Sequence, residues 1–252
     1  MFGFTRSSRK PVQKISRGRD IAVGGRRLPL TIRENVRATR MTLRIEPGGK
    51  TLKMSVPTGI SDQEIDRFLH RHHGWLTTRL DKLPKAALVA EGHFLPVRDI
   101  PHRIERTGKL RGISKAEMVD GQWVLSVGGA PEQLARRVAD YLKKQARADL
   151  EPAVDKHARS LGRSVAAIRF KDTKSRWGSC TSDGQLSFSW RIVMAPDFVI
   201  DYLAAHEVAH LQEMNHGPKF WALCHSLCAR TDEAKSWLKH HGSALHAMDF
   251  NE

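Results

Sequence analysis

Between residues 28 and 56 the chain alternates apolar and polar positions. Residues 28–36, 41–45 and 52–56 each read as a strand with one buried face, and Gly24-Gly25 and Gly48-Gly49 mark the turns. An antiparallel meander is expected there. After Ser61-Asp62-Gln63-Glu64, a capping-box start, the period lengthens. Ile65, Phe68, Leu69, Trp75, Leu76 and Leu80 then predict a helix over residues 61–82. Short strands return at 94–97, 100–104, 113–118 and 123–127. Pro131 suits the first position of a long helix carrying Leu134, Val138, Tyr141, Leu142, Ala146, Leu150, Val154 and Ala158, with Pro152 as a point of break or kink. Strands at 167–170 and 185–190 flank the segment 175–180 and a Ser182-Asp183-Gly184 turn. From Pro196 to Gln212 a largely apolar helix is expected, followed by a helix with Phe220, Trp221, Leu223 and Leu227 and another with Trp237, Leu238 and Leu245.

This pattern predicts an α+β protein in three stretches: a flexible basic arm (residues 1–19), a β-rich region with one helix (20–130) and a final, mainly helical region (131–252). No run of 18 apolar residues exists, so no membrane span is expected. The first residues carry charge without a following apolar stretch, so no secretory signal is expected and the cytoplasm is the expected location. Cysteines number three (Cys180, Cys224 and Cys228), too few and odd for a disulfide framework; Cys224 and Cys228, four apart beside His225, could belong to a second metal site but read better as buried free thiols.

The net charge of +15 is unevenly placed. Residues 1–50 hold 13 Lys/Arg against 3 Asp/Glu, whereas residues 201–252 hold 4 against 7. The basic stretch 1–50 could meet nucleic acid or an acidic partner, while the plainer reading of residues 1–19 is a solvated arm. His70, His72 and His73 splay around their helix and read as a solvated cluster.

Residues 206–216 carry the most chemistry. His206 and His210, four apart on a helix, project from one face and can bind one Zn²⁺ at roughly 2.0–2.1 Å each. Glu207 stands where a zinc hydrolase keeps its general base. His216 completes a three-ligand site if the helix ends and the chain turns back, leaving the fourth position to water, as in a catalytic rather than a structural site. The plain alternative is a surface helix with scattered histidines. Tyr202, Leu203, Ala204, Ala205, Val208, Ala209 and Leu211 argue for burial instead, and buried histidines and a buried glutamate need partners. Arg176, Tyr202 and Lys219 are candidate donors to an oxyanion.

Several segments together resemble the YgjP-like metallopeptidase family, zincins that are also similar to SprT-like and Spartan-like proteases. They are Arg176-Trp177-Gly178-Ser179-Cys180, Leu186-Ser187-Phe188-Ser189-Trp190-Arg191, Pro196, Asp201-Tyr202, His206-Glu207-Val208-Ala209-His210, Asn215-His216 and Phe220-Trp221. The resemblance is close over residues 165–230 and looser over the amino-terminal strands and the helix from Ser61. It implies a zincin-like core, α+β, with an antiparallel β-rich amino-terminal part. It implies one Zn²⁺ on His206, His210 and His216, Glu207 as general base, and a peptide or protein substrate. Zincin substrates pair with an edge strand, for which residues 185–190 are the candidate. Arg176 or Ser179 would then touch substrate or back the ligands. The plainer reading is that Trp177 and Cys180 pack the core and Gly178 permits a bend.

The histidine spacing has the metzincin length, but Glu213 stands where a metzincin needs glycine, and no Met-turn is found. Glu213 could replace His216 as ligand or orient a ligand from behind; His216 is preferred. Two other classes stay open: a zinc endoribonuclease, whose family shares this histidine spacing and whose RNA the basic arm would suit, and a non-catalytic module that zinc stabilises. Glu207 is not needed by that ribonuclease pattern, and the 176–180 element matches the peptidases.

Overall fold

The computed structural model describes residues 16–46, 49–81, 88–173 and 176–250. The chain divides into two compact units, residues 1–83 and 84–252.

In the first unit β1 (Ser16–Val23) and β2 (Arg26–Glu34) form a hairpin. Gly24 and Gly25 both take positive φ (56° and 74°), the backbone a two-residue hairpin turn demands. With β3 (Thr42–Ile45) and β4 (Leu52–Val56) the sheet order is β1-β2-β4-β3. The expected meander is therefore corrected, since β4 pairs parallel with β2 and leaves β3 at the edge. Burial explains the order: Leu52, Met54 and Val56 are all buried, whereas every residue of β3 keeps some exposure. Ser16–Arg19 are strand rather than flexible arm. Arg17 reaches Asp62 (2.9 Å) and Glu34 (3.5 Å), and Arg19 pairs with Asp66. The rest of the expected arm, residues 1–15, lies outside the described residues.

The helix expected over 61–82 is split into α1 (Asp62–Arg71) and α2 (His73–Asp81). At the joint, the His72 ring and its own N–H both bond the Phe68 carbonyl (2.8 and 3.1 Å), and His72 stacks on the Phe68 ring. The capping box is present, with Ser61 Oγ accepting from Glu64 N–H and Glu64 accepting from Ser61 N–H. Leu28, Leu30, Ile32, Leu52, Met54 and Val56 meet Ile65, Leu69, Leu76 and Leu80 in this unit's core. Of the three histidines expected as a solvated cluster, His70 and His73 are exposed, whereas His72 is half-buried against Phe68.

The second unit begins with β5 (Phe94–Val97), β6 (Ile100–Arg106), β7 (Lys115–Val119) and β8 (Gln122–Val127), ordered β5-β6-β8-β7. A 3₁₀ turn from Pro131 leads into α3 (Leu134–Leu161), which runs through Pro152 without a break. Buried Leu150 and Val154 anchor the helix on both sides of that proline. Next come β9 (Ala167–Lys171), β10 (Gly178–Cys180) and β11 (Gln185–Ser189), in sheet order β10-β11-β9. The strand expected to be an edge, β11, is thus central. It pairs parallel with β9 and antiparallel with β10, a strand too short to read from alternation. A 3₁₀ segment, Trp190–Met194, precedes α4 (Asp197–Ala209), α5 (Pro218–Leu227) and α6 (Thr231–Ala247).

Leu95, Val97, Ile104, Leu125 and Val127 share one core with α3 and α4, through Val138, Leu142, Ala204 and Val208. That shared core puts the division after residue 83, where the sequence reading placed a boundary at 130/131. The β5–β6 hairpin tip is tied to the segment before α4: Arg98 N–H donates to Val193 O (2.8 Å), and its guanidinium to Asp149 on α3 (2.6 Å). None of the described helices is long and apolar enough to cross a membrane.

Candidate metal centre

Packing holds α4 from all sides: Val199, Ala204, Ala205, Val208 and Ala209 are fully buried. The helix ends at Ala209, with His210 as its cap. Leu211 N–H bonds Val208 O and Glu213 N–H bonds Ala209 O, which winds the chain once more before it turns. Gly217 N–H bonds Asn215 O (2.7 Å), and Pro218 then starts α5. This path brings His216 back over the helix end.

His206 Nε2 and His216 Nε2 lie 3.1 Å apart, and one nitrogen from each of His206, His210 and His216 falls within 4.8 Å of the others. Nitrogens bound tetrahedrally at roughly 2.0–2.1 Å sit about 3.3 Å apart, so this spacing suits a shared ion. Among the described residues no other group of three or more His, Cys, Asp or Glu side chains converges this way. Phe220, fully buried, packs against all three rings, with centroids 4.9, 4.5 and 4.7 Å away. His210 Nδ1–H donates to the Glu213 carbonyl (3.0 Å), which leaves Nε2 with its lone pair free. His206 Nδ1 meets the Tyr202 hydroxyl at 3.2 Å.

Burial pushes the His206 imidazole down to about 3, helped by His210, His216 and Lys235. Burial also lowers His210. Neutral rings are the ligand form, so the donor set fits a divalent cation with a taste for nitrogen.

Glu207 is 3% exposed, and its Oε2 has no hydrogen-bond partner among the described residues. Burial raises its carboxyl to about 8, with Arg176 pulling the other way. A buried carboxylate oxygen without a donor is costly, unless water and a cation complete the site.

A profile of the YgjP-like metallopeptidase domain matches residues 39–241. The chain belongs to the YgjP-like family. It is a metallopeptidase, and the family implies a divalent metal, for which the three histidines are the available set. No curated protein matches it. Among solved structures, the metallopeptidase zymogens of Pyrococcus abyssi abylysin and Methanocaldococcus jannaschii jannalysin are similar to part of it. Identities are 18% and 21%; each match covers 36% of this chain and 93% of the other, with TM-score 0.32.

The other expected site residues of this metallopeptidase fall in different places. Tyr202 is buried behind His206 and touches that ring. Glu213 supports His210 through its main-chain carbonyl. Arg176 is exposed and near enough to bias Glu207. In β10 side chains alternate between faces, and Gly178 faces Glu207. Ser179 therefore points to the opposite face, while Cys180 shares the face of Gly178. The Cys180 thiol is pushed up to about 11 by burial and then by Glu207 and Asp183. Lys219 is exposed in the first turn of α5.

Gly178 has a role that the sequence reading missed. A Cβ at this position would lie 2.2 Å from Glu207 Oε1, so the strand approaches the carboxylate too closely for any side chain. Also missed was the buried His157 on α3, whose Nε2 meets Asp201 Oδ1 at 2.9 Å and so braces α4 one residue before Tyr202. Its signal in the sequence, a histidine on the apolar face of α3, is one that core histidines share.

Proposed function

We propose that this metallopeptidase holds one Zn²⁺ on His206, His210 and His216 and hydrolyses peptide bonds with Glu207 as general base. The observation that carries this reading is Glu207 Oε2, buried without a partner among the described residues, on the same helix as two of the three converging imidazoles. Zinc suits an all-nitrogen set with a position left open. When bound, it supplies Lewis acidity, polarising the scissile carbonyl and making water nucleophilic near neutral pH.

The chain's own residues do the rest. Glu207 accepts the proton of the attacking water at its carboxylate and passes it to the leaving amine. Tyr202 and the Glu213 carbonyl fix the His206 and His210 rings from behind. Arg176 brings positive charge near the carboxylate and is the candidate to hold the oxyanion or the substrate chain. An extended peptide pairs with the edge strand β10, to which Ser179 contributes through its main chain. These groups all fall within residues 131–252, the stretch proposed as the catalytic region. The three cysteines are free thiols, which fits a reducing compartment such as the cytoplasm.

The rival readings gain less. Arg17, Arg19 and Arg26 are paired with acidic side chains, which weakens the case for an RNA-binding strip. A purely structural zinc site closes with four protein ligands, and among the described residues three converge here.

The test incubates the full chain with a peptide library and with structured RNA, each with and without chelator. Peptide cleavage that chelator abolishes and added zinc restores is the expected result. RNA cleavage alone, or no cleavage of either, contradicts it.

A further inference from the structure

The strand that lies on Glu207 is anchored from its far side, and hydrolysis as described makes no use of that anchor. Trp177 immediately precedes Gly178. Its indole stacks on the His246 ring of α6, with centroids 4.0 Å apart and planes 25° from parallel. One helical turn earlier α6 carries Gly242, where a Cβ would come within 3.2–3.5 Å of three indole atoms. Only a residue without a side chain leaves this seat its full depth. The main chain at Trp177 is fixed as well, its carbonyl accepting from Ser189 N–H at the end of β11 (2.7 Å).

The end of α6 is itself held to the second unit's core. Arg191, buried beside β11, donates to the carbonyls of Leu245 (3.2 Å) and Met248 (2.7 Å) and, with two nitrogens, to Asp172 (2.6 and 3.2 Å). His246 Nδ1 is buried with no partner among the described residues. Burial and Arg191 push this ring down to about 4, against Asp172, so it meets the indole as a neutral aromatic.

A displacement of the indole is passed along one peptide unit to Gly178, whose Cα already leaves no room before Glu207 Oε1. We infer that Trp177, seated on Gly242 and His246, is a positioning residue that sets the height of β10 over the Glu207 carboxylate. It would thereby set the alignment of that carboxylate with a peptide lying along β10. The inference rests on Glu207 being the general base.

The experiment uses the full zinc-loaded chain and a peptide that the wild type cleaves, and reads zinc content, kcat and KM. Gly242→Ala, which lifts the indole, and Trp177→Phe, which shortens it, should keep zinc and KM within about twofold. They should lower kcat by about tenfold to a hundredfold, the cost of an ångström-scale misplacement. His246→Phe preserves the stacked ring and should keep kcat within about twofold, whereas His246→Ala should lower it. A residue that merely packed the core would lower stability without dividing kcat from KM and without rescue by phenylalanine. Unchanged kcat in the folded, zinc-bound Gly242→Ala and Trp177→Phe proteins overturns the inference. If those two fail to fold, equal kcat in His246→Phe and His246→Ala overturns it instead. A wild type that cleaves no peptide overturns the proposed function and this inference with it; an active wild type with unaffected variants overturns this inference alone.

Discussion

Beneath β1–β4, the buried side chains among the described residues of the first unit are Val23, Leu28, Leu30, Ile32, Leu52, Met54, Val56, Ile65, Leu69, Leu76 and Leu80, all apolar. Around α4, burial of the same depth takes in Glu207, His210, His157, Arg191 and Thr231 beside the leucines and valines. An apolar side chain needs only to be shielded from water; a polar one needs a named partner. In the second unit nearly every such partner can be named: Asp201 for His157, Asp172 and two carbonyls for Arg191, the Cys228 carbonyl for Thr231, and the Glu213 carbonyl for His210. Glu207 Oε2 is left without one among the described residues. Ser189 Oγ, Trp190 Nε1 and His246 Nδ1 are also buried without a partner among the described residues, but a carboxylate is the costliest of these groups to leave uncompleted, and that marks the second core as the candidate for chemistry.

If this contrast is right, the two cores fail differently when damaged. Leu30→Ala, at a position 1% exposed, should cost about 2–5 kcal/mol in the unfolding of the first unit and leave zinc content unchanged. Denaturant titration with metal analysis checks this, and loss of zinc from the folded variant would erase the contrast. Gly178→Ala should do the reverse, keeping the fold and zinc while pushing Glu207 aside. Activity should fall about a hundredfold, and a value within threefold of wild type would mean that the strand gives way instead of the carboxylate.

Asp201→Ala falls between the two, because it removes a partner rather than a methyl group. His157 Nε2 would be left buried and unpaired, a cost of about 1–3 kcal/mol. The sign of its pH dependence follows from the Asp201 carboxyl, which His157 holds below the usual carboxylate range. Its stabilisation is complete above the ordinary value of roughly 3.9 and is lost as pH falls through the depressed one. The gap in stability between wild type and variant should therefore be constant near neutrality and close below about pH 4. Equal stabilities at pH 7 would show that the His157 pair carries nothing.

The apolar core was the more legible of the two, because alternation and helical spacing write it directly into residues 28–80. What alternation could not show was order: β4 sits inside β3, since three buried residues outrank a half-covered strand. Ser16–Arg19 looked like a solvated arm because charge hides a strand whose arginines are paired across the unit. Of the proposed site, His206, Glu207 and His210 could be read because they follow one helix, and His216 because its return needs only a helix end. Its supports were not, because they act through main chain or through absence. Glu213 works by its carbonyl, Gly178 by lacking a side chain, and β10 is three residues long.

The most direct test replaces Glu207 with Gln and reads zinc content and peptide cleavage in the same sample. Glutamine keeps the shape and removes the base, so the account predicts zinc at the wild-type ratio with cleavage lower by about 10²–10⁴-fold. A Glu207→Gln protein that keeps its zinc and cleaves at the wild-type rate would contradict it.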